Sequence, residues 1–247
     1  MLRTIILFLY IVIYLLLGVL LFPVIGILKL FKNEKAAGTL AFHYIRFACR
    51  SGVFLAGAHV DAAGLENVKR DGAALYILNH RSIFDIIITY SYMVDRTGFI
   101  AKKELRRVPL FAQWILFGNG LFLDRNDLRQ GMQTILKGIS YLKSGVNICI
   151  FPEGTRNKDK ESKTSLLEFH SGSFKLAEKS GVPIIPVALY NTSACFEDHL
   201  PKIRSSDVKI TFGEPIVISD LPKEKKRFLS EHVRDVLKEM LEKYEEA

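Results

Sequence analysis

Between Thr4 and Leu28 the chain carries no charged residue, and nearly every side chain is Leu, Ile, Val, Phe or Tyr. As a helix, that length is enough to cross a bilayer core, which takes roughly 20 apolar residues. Pro23 lies inside the run and predicts a kink or an early end near Phe22. A second stretch, Gly38 to Val60, mixes Leu40, Phe42, Ile45, Phe47, Val53, Phe54 and Leu55 with Arg46, Arg50, His43 and His59. It reads as an amphipathic helix rather than a second clean span. Residues 1–60 are thus expected to form a membrane-associated pair of N-terminal helices. Lys29, Lys32 and Lys35 follow the apolar run, against Arg3 alone before it, so the positive-inside tendency places the rest of the chain in the cytoplasm. A cleaved secretory signal would be shorter and followed by a small-residue cleavage site. Whether the segment spans the cell membrane or lies within one leaflet stays open at this level.

The 247 residues leave room for one catalytic domain beyond this attachment. With 49% hydrophobic and 24% charged residues, the chain is neither disordered nor collagen-like. A net charge of +8 favours partners that carry phosphate: nucleic acid, anionic lipid or a phosphorylated small molecule. The apolar N-terminus shifts that choice toward lipid. The aromatics are not interleaved with basic residues as a base-stacking platform requires, which argues against nucleic acid. Three widely spaced cysteines, Cys49, Cys149 and Cys195, form no CxxC pair, so neither a zinc site nor a disulfide framework is indicated. They suit a reducing, cytosol-facing domain, with Cys149 a small buried hydrophobe.

After Val60 the pattern changes. Ala73–Leu78, Phe99–Ala101, Leu121–Leu123, Asn147–Phe151, Ile184–Tyr190 and Val208–Phe212 read as strands. Most are near-continuous apolar runs, as strands covered on both faces should be. Leu128, Met132, Ile135, Leu136, Ile139 and Leu142 follow helical spacing, with Asn126 or Asp127 as cap and Gly145 as stop. Phe174–Ser180 is a shorter helix, and a last one buries Leu229, Val233, Val236, Leu237, Met240, Leu241 and Tyr244. Asp159–Lys163 reads as a charged, mobile loop. Alternating strands and helices imply an α/β domain over residues 61–247.

Chemistry-bearing residues gather where strands end, which is where α/β sheets place their sites. Asn79-His80-Arg81-Ser82-Ile83-Phe84-Asp85 follows the first of these strands. An imidazole there can take a hydroxyl proton near neutral pH. Asp85, five positions on, can turn back and fix the ring's tautomer if a helix starts near Ser82. From spacing alone, His80 reads equally well as a helix cap and Asp85 as half of a salt bridge. Ser82 is too close in sequence to His80 to complete a serine triad. Phe151-Pro152-Glu153-Gly154-Thr155-Arg156 follows another buried strand. Gly154 permits close backbone approach, and Arg156 offers a planar fork for phosphate. Glu153 could hold a substrate hydroxyl or orient an arginine. Gly120–Arg125 ends a third strand with a possible phosphate ligand in Arg125, and Lys102 and Lys103 end a fourth. Each signal is weak alone; four such ends converging on one sheet edge are harder to dismiss.

Taken in order, these segments resemble the glycerolipid acyltransferase family, in particular its bacterial 1-acylglycerol-3-phosphate acyltransferases. Asn79–Asp85 matches the NHx4D motif, Gly120–Arg125 a second block, Phe151–Arg156 the FPEGTR block, and Val182–Val187 (VPIIPV) a fourth. Ala101–Leu105 is similar to a further lysine-bearing stretch. The resemblance implies a mixed, mostly parallel sheet flanked by helices. It implies that His80, oriented by Asp85, deprotonates the free hydroxyl of lysophosphatidic acid for attack on acyl-CoA or acyl-carrier protein, giving phosphatidic acid. Arg156, with Glu153, Gly154 and Thr155 and with Arg125 as helper, is implied to hold the acceptor's phosphate, and Lys102 to stabilise the oxyanion. The resemblance implies no cofactor beyond that co-substrate and no metal. His170-Ser171-Gly172-Ser173 stands where members often carry Lys-Lys-Gly-Ala, which puts the acceptor headgroup in question. A hydrolase is the competing class; it lacks a GxSxG elbow here. A non-catalytic binding module is the third.

Overall fold

The computed structural model describes residues 1–69, 71–124 and 126–245. The N-terminal run forms helix α1 (Leu2–Gly18) and helix α2 (Phe22–Leu30), separated by one tight turn over Val19–Leu21. Pro23 sits in the first turn of α2, where its missing N–H costs no hydrogen bond. The break therefore precedes the proline rather than being centred on it. Helix α3 (Glu34–Ala56) starts on an Asn33 cap and ends on Gly57 at φ 67°, a left-handed conformation that suits glycine. It folds back along α1 and α2. Tyr14 and Tyr44 each donate a hydroxyl to the other's carbonyl, at 2.8 and 2.6 Å, and their rings stack at 4.2 Å. Trp114 and Phe117 from a later helix close the base of this hairpin against Phe22. The outer faces of α1 and α2 stay apolar and exposed, from Leu2 to Phe31. Such a surface belongs against lipid, not water, and the chain is membrane-associated.

The helix expected to reach Val60 stops at Ala56, and residues Ala58–Ala63 form strand β1 instead. Its alternation of inward Ala58, Val60 and Ala62 with outward His59, Asp61 and Ala63 is the strand period. That alternation is visible in the sequence, but the apolar residues upstream had absorbed it into the helix. The other strands are β2 (Leu75–Leu78), β3 (Thr97–Lys102), β4 (Leu121–Leu123), β5 (Asn147–Ile150), β6 (Ile184–Tyr190) and β7 (Ser206–Phe212). Among the described residues they form one sheet in the order β1-β7-β6-β2-β5-β3-β4. All neighbours run parallel except β6 and β7. The sheet is therefore mixed and mostly parallel, and β2 to β5 all end on one edge.

Helices cover both faces, as parallel strands require. Helix α4 (Phe84–Tyr92) lies on one face beneath α3, its Phe84 and Ile88 packing with Tyr76, Leu78 and Phe99. On the other face lie α6 (Leu128–Lys143), α7 (Lys175–Ser180) and α9 (Leu229–Glu242), around Leu75, Ile77, Ile148 and Ile150. Short helices α5 (Phe111–Phe117) and α8 (Lys223–Arg227) complete the set. Of its predicted stripe helix α9 buries Leu229, Val233, Leu237 and Leu241, while Val236, Met240 and Tyr244 are half-buried. Helix α6 departs from its pattern: Leu128 is 89% exposed, and Met132 and Leu136 are exposed with it. Gln130 and Thr134 both donate to the Phe122 carbonyl of β4, which rotates the helix so that Thr134, Gly138 and Leu142 face inward.

Candidate active site

The site begins where β2 runs out. Asn79 continues the ladder with its side chain. Its Nδ2 donates to the Leu189 carbonyl of β6 and its Oδ1 accepts from the Leu189 N–H, both at 2.8 Å. This fixes the direction in which His80 leaves the sheet. Helix α4 then starts within four residues and brings Asp85 back underneath the histidine.

Asp85 is fully buried, and both of its oxygens meet donors. Its Oδ2 accepts from His80 Nδ1 at 2.9 Å, from the Arg81 N–H at 2.7 Å and from the Ser82 N–H at 2.8 Å. Its Oδ1 accepts from Thr192 Oγ1 at 2.5 Å. A carboxylate so surrounded can only accept, so Nδ1 of His80 carries the proton and Nε2 keeps its lone pair. The imidazole stacks on Phe151 with ring centroids 4.0 Å apart, and its side chain is 17% exposed. Among the described residues Nε2 has no hydrogen-bond partner. The arrangement holds an imidazole at one angle and one tautomer with its second nitrogen open, a geometry that can take a proton.

The loop after β5 is bound to the same turn. Glu153 is buried, and its two oxygens accept from the His80 N–H at 2.7 Å and the Leu167 N–H at 3.0 Å. Burial raises its pKa from the ordinary value against the pull of these two backbone donors. The carboxylate thus faces backbone, not Arg156. Gly154 takes φ 73°, a conformation glycine adopts without penalty. The Asn157 N–H donates to the His80 carbonyl at 2.7 Å. Thr155 and Arg156 face outward, with the Arg156 side chain 48% exposed. Arg156 Nη1 donates to Glu197 Oε1 at 2.6 Å.

The other sequence candidates stand farther off. Lys102 ends β3, two strands from β2 and roughly 10 Å away at about 4.8 Å per strand. It is exposed, and no hydrogen bond joins it to His80. Its neighbour Lys103 pairs with Asp124 at 2.5 Å. That places the β4 end one strand further out again, and Arg125 lies outside the described residues. The strand-end rule therefore brings His80, Asp85, Glu153, Gly154, Thr155 and Arg156 together, and leaves Lys102 at the margin. The VPIIPV block leads into β6, where Ile184, Ile185 and Val187 are fully buried.

Three residues of the site went unnoticed in the sequence. Thr192 and Glu197 follow β6, whose C-terminal end shares the edge with β2, so the strand-end rule could have pointed to them. Arg81 is buried; its guanidinium donates to the carbonyls of Asp159, Ser162 and Ser165 and to Ser165 Oγ, between 2.6 and 3.1 Å. The Asp159–Lys163 segment, expected to be mobile, is held by these bonds and by Asp159 accepting from its own loop.

A mostly parallel sheet presenting such loops at one edge defines a protein of the α/β class. More specifically, a family model described as Acyltransferase matches residues 59–190, more than half of the chain. The chain belongs to the acyltransferase family. It is 29% identical over 211 residues to the 1-acyl-sn-glycerol-3-phosphate acyltransferase of Salmonella typhimurium, covering 85% of this chain and 82% of that one. The enzyme of the same name from Haemophilus influenzae is 30% identical over 218 residues, covering 87% and 86%. The crystal structure of the 1-acyl-sn-glycerophosphate (LPA) acyltransferase PlsC from Thermotoga maritima superposes with a TM-score of 0.73 at 26% identity, over 98% of each chain.

Proposed function

We propose that this acyltransferase moves an acyl group from a thioester donor, acyl-CoA or acyl-carrier protein, to the free hydroxyl of 1-acylglycerol-3-phosphate, giving phosphatidic acid. The carrying observation is the His80–Asp85 pair: a fully buried carboxylate with four donors, holding an imidazole whose Nε2 is open. His80 Nε2 takes the acceptor's hydroxyl proton, and the oxygen attacks the thioester carbonyl. A C–O bond forms, the C–S bond breaks, and the thiolate leaves with the proton returned from His80. Asp85 keeps its hydrogen bond to Nδ1 and steadies the imidazolium that forms in between. Arg156 anchors the phosphate, with Gly154 and Thr155 shaping the approach and Glu153 fixing the loop. Lys102 stabilises the oxyanion or the donor's own negative charge. The relatives' names support the acceptor, and the +8 net charge supports its phosphate. The N-terminal hairpin keeps the site beside the bilayer that supplies the lipid, with the catalytic domain on the cytoplasmic side.

The test uses detergent-purified protein with oleoyl-CoA and 1-oleoylglycerol-3-phosphate, following free thiol and lipid product together. Matched thiol and phosphatidic acid are expected. In His80→Ala both should fall by about 10²–10⁴-fold, the range for a positioned base. Thiol without acylated lipid would make the chain a thioester hydrolase or move the acceptor to another lysolipid.

A further inference from the structure

The Arg156–Glu197 contact reaches further than one ion pair. Glu197 sits in the turn after β6, outside every motif that carries the family resemblance. Its Oε1 accepts from Arg156 Nη1 at 2.6 Å and from the Ile83 N–H at 2.9 Å, while Oε2 accepts from Ser82 Oγ at 2.5 Å. Ser82 and Ile83 belong to the turn that opens α4. In that same turn Asp85 takes the Arg81 and Ser82 N–H groups and His80 Nδ1. One turn of backbone thus fixes the base on one side and, through Glu197, the arginine on the other. Arg156 meanwhile gives Glu197 a single nitrogen. Guanidinium has five N–H donors, so its Nε and Nη2 remain for an incoming anion.

We propose that Glu197 is a positioning residue that holds Arg156 at a set distance from His80, so that an acceptor bound by its phosphate presents its free hydroxyl to the base. The proposal rests on the reading that Arg156 binds the acceptor's phosphate. An arginine at the surface otherwise samples many rotamers, and ordering it before the substrate arrives reduces the entropy lost on binding. The ligand class this favours is a lipid phosphomonoester over the same lipid without phosphate.

Initial rates are measured with 1-oleoylglycerol-3-phosphate and with 1-oleoylglycerol, in wild type, Glu197→Ala, Glu197→Gln, Arg156→Ala and the double variant Arg156→Ala/Glu197→Ala. Glu197→Ala is expected to raise KM for the phosphorylated acceptor by ~10-fold, the scale of one hydrogen bond to a charged group. KM for oleoyl-CoA should stay within ~2-fold on the same scale, and a fall in kcat shared by 1-oleoylglycerol-3-phosphate and 1-oleoylglycerol reports the bonds of Glu197 to Ser82 and Ile83 rather than its hold on Arg156. Glu197→Gln keeps an acceptor for Arg156 and Ile83 and should recover most of the loss. In the Arg156→Ala background Glu197→Ala should add nothing. If Arg156→Ala raises acceptor KM but Glu197→Ala does not, or if the two losses add in the double variant, the positioning role is wrong. If Arg156→Ala itself leaves acceptor KM unchanged, the phosphate reading fails before Glu197 is reached. Should Glu197→Ala unfold in detergent, Glu197→Gln decides alone: an acceptor KM raised as much as by Arg156→Ala would contradict the recovery expected of it.

Discussion

The loops leaving β2 and β5 meet at one sheet edge, and they are finished in opposite ways. In the β2 loop both oxygens of Asp85 meet donors and Nε2 of the imidazole looks outward, with Arg81 Nε buried without a partner. In the β5 loop the inner half is equally closed, with Glu153 buried on two backbone N–H groups, but the outer half ends on Thr155 and a half-exposed Arg156. The difference matches two tasks. A base must hold one tautomer and one angle, which demands a rigid, water-poor setting. A group that captures a charged headgroup must reach solvent first. If this division is right, substitutions in the β2 loop should act on kcat, and those in the outer β5 loop on acceptor KM.

The sharpest way to break the comparison is Asp85→Asn. An amide must turn its oxygen toward the Arg81 and Ser82 N–H groups and its NH2 toward Thr192 Oγ1, so Nδ1–H keeps its acceptor while the imidazolium loses the negative charge beside it. That loss should lower kcat by about 10²–10⁴-fold, the range for a positioned base, with acceptor KM little changed. Assays as above, with circular dichroism to confirm the fold, check it. A loss confined to KM would remove Asp85 from the proton-transfer machinery.

Thr192→Val asks whether the closure of the β2 loop itself matters. Valine keeps the shape and deletes the hydroxyl, leaving Asp85 Oδ1 buried with one donor fewer. The expected penalty of about 1–3 kcal/mol for an unsatisfied buried group corresponds to roughly a tenfold fall in kcat when it is felt in the imidazolium state. Rates equal to wild type would mean that the three donors on Oδ2 suffice.

Much of this was readable from residues in order. Near-continuous apolar runs located six strands, because strands covered on both faces have no polar side to confuse the signal. Strand ends located His80, Asp85 and the Glu153–Arg156 turn. What escaped were the links between distant segments. Thr192 reaches Asp85 across 107 positions and Glu197 reaches Ser82 across 115. Neither threonine nor glutamate in a loop carries a local signal of such a contact, since only the order of strands in the sheet makes β2 and β6 neighbours. The rotation of α6 escaped for the same reason. Its apolar spacing sets a helix, while the Phe122 carbonyl it packs on decides which face turns inward. The held Asp159–Lys163 loop depends likewise on Arg81, 78 positions earlier than the carbonyl of Asp159.

The smallest effect concerns the inner β5 loop, and it is a matter of stability. Burial raises the Glu153 pKa in the fold above its ordinary 4.5. In the window between those two values the native state binds more protons than the unfolded chain, so its contribution to stability is complete below pH 4.5 and is lost as pH rises through the folded pKa. Glu153→Gln is neutral throughout and removes that slope. It also leaves one of the His80 and Leu167 N–H groups without an oxygen, a pH-independent loss of about 1–3 kcal/mol. Thermal melts across this range should therefore find the variant less stable at the acid end and the gap narrowing as pH rises. A gap that widens with pH would mean that the two backbone bonds outweigh burial and that the carboxylate is held ionised. The inner half of the β5 loop would then be a charged brace on His80 rather than a desolvated one.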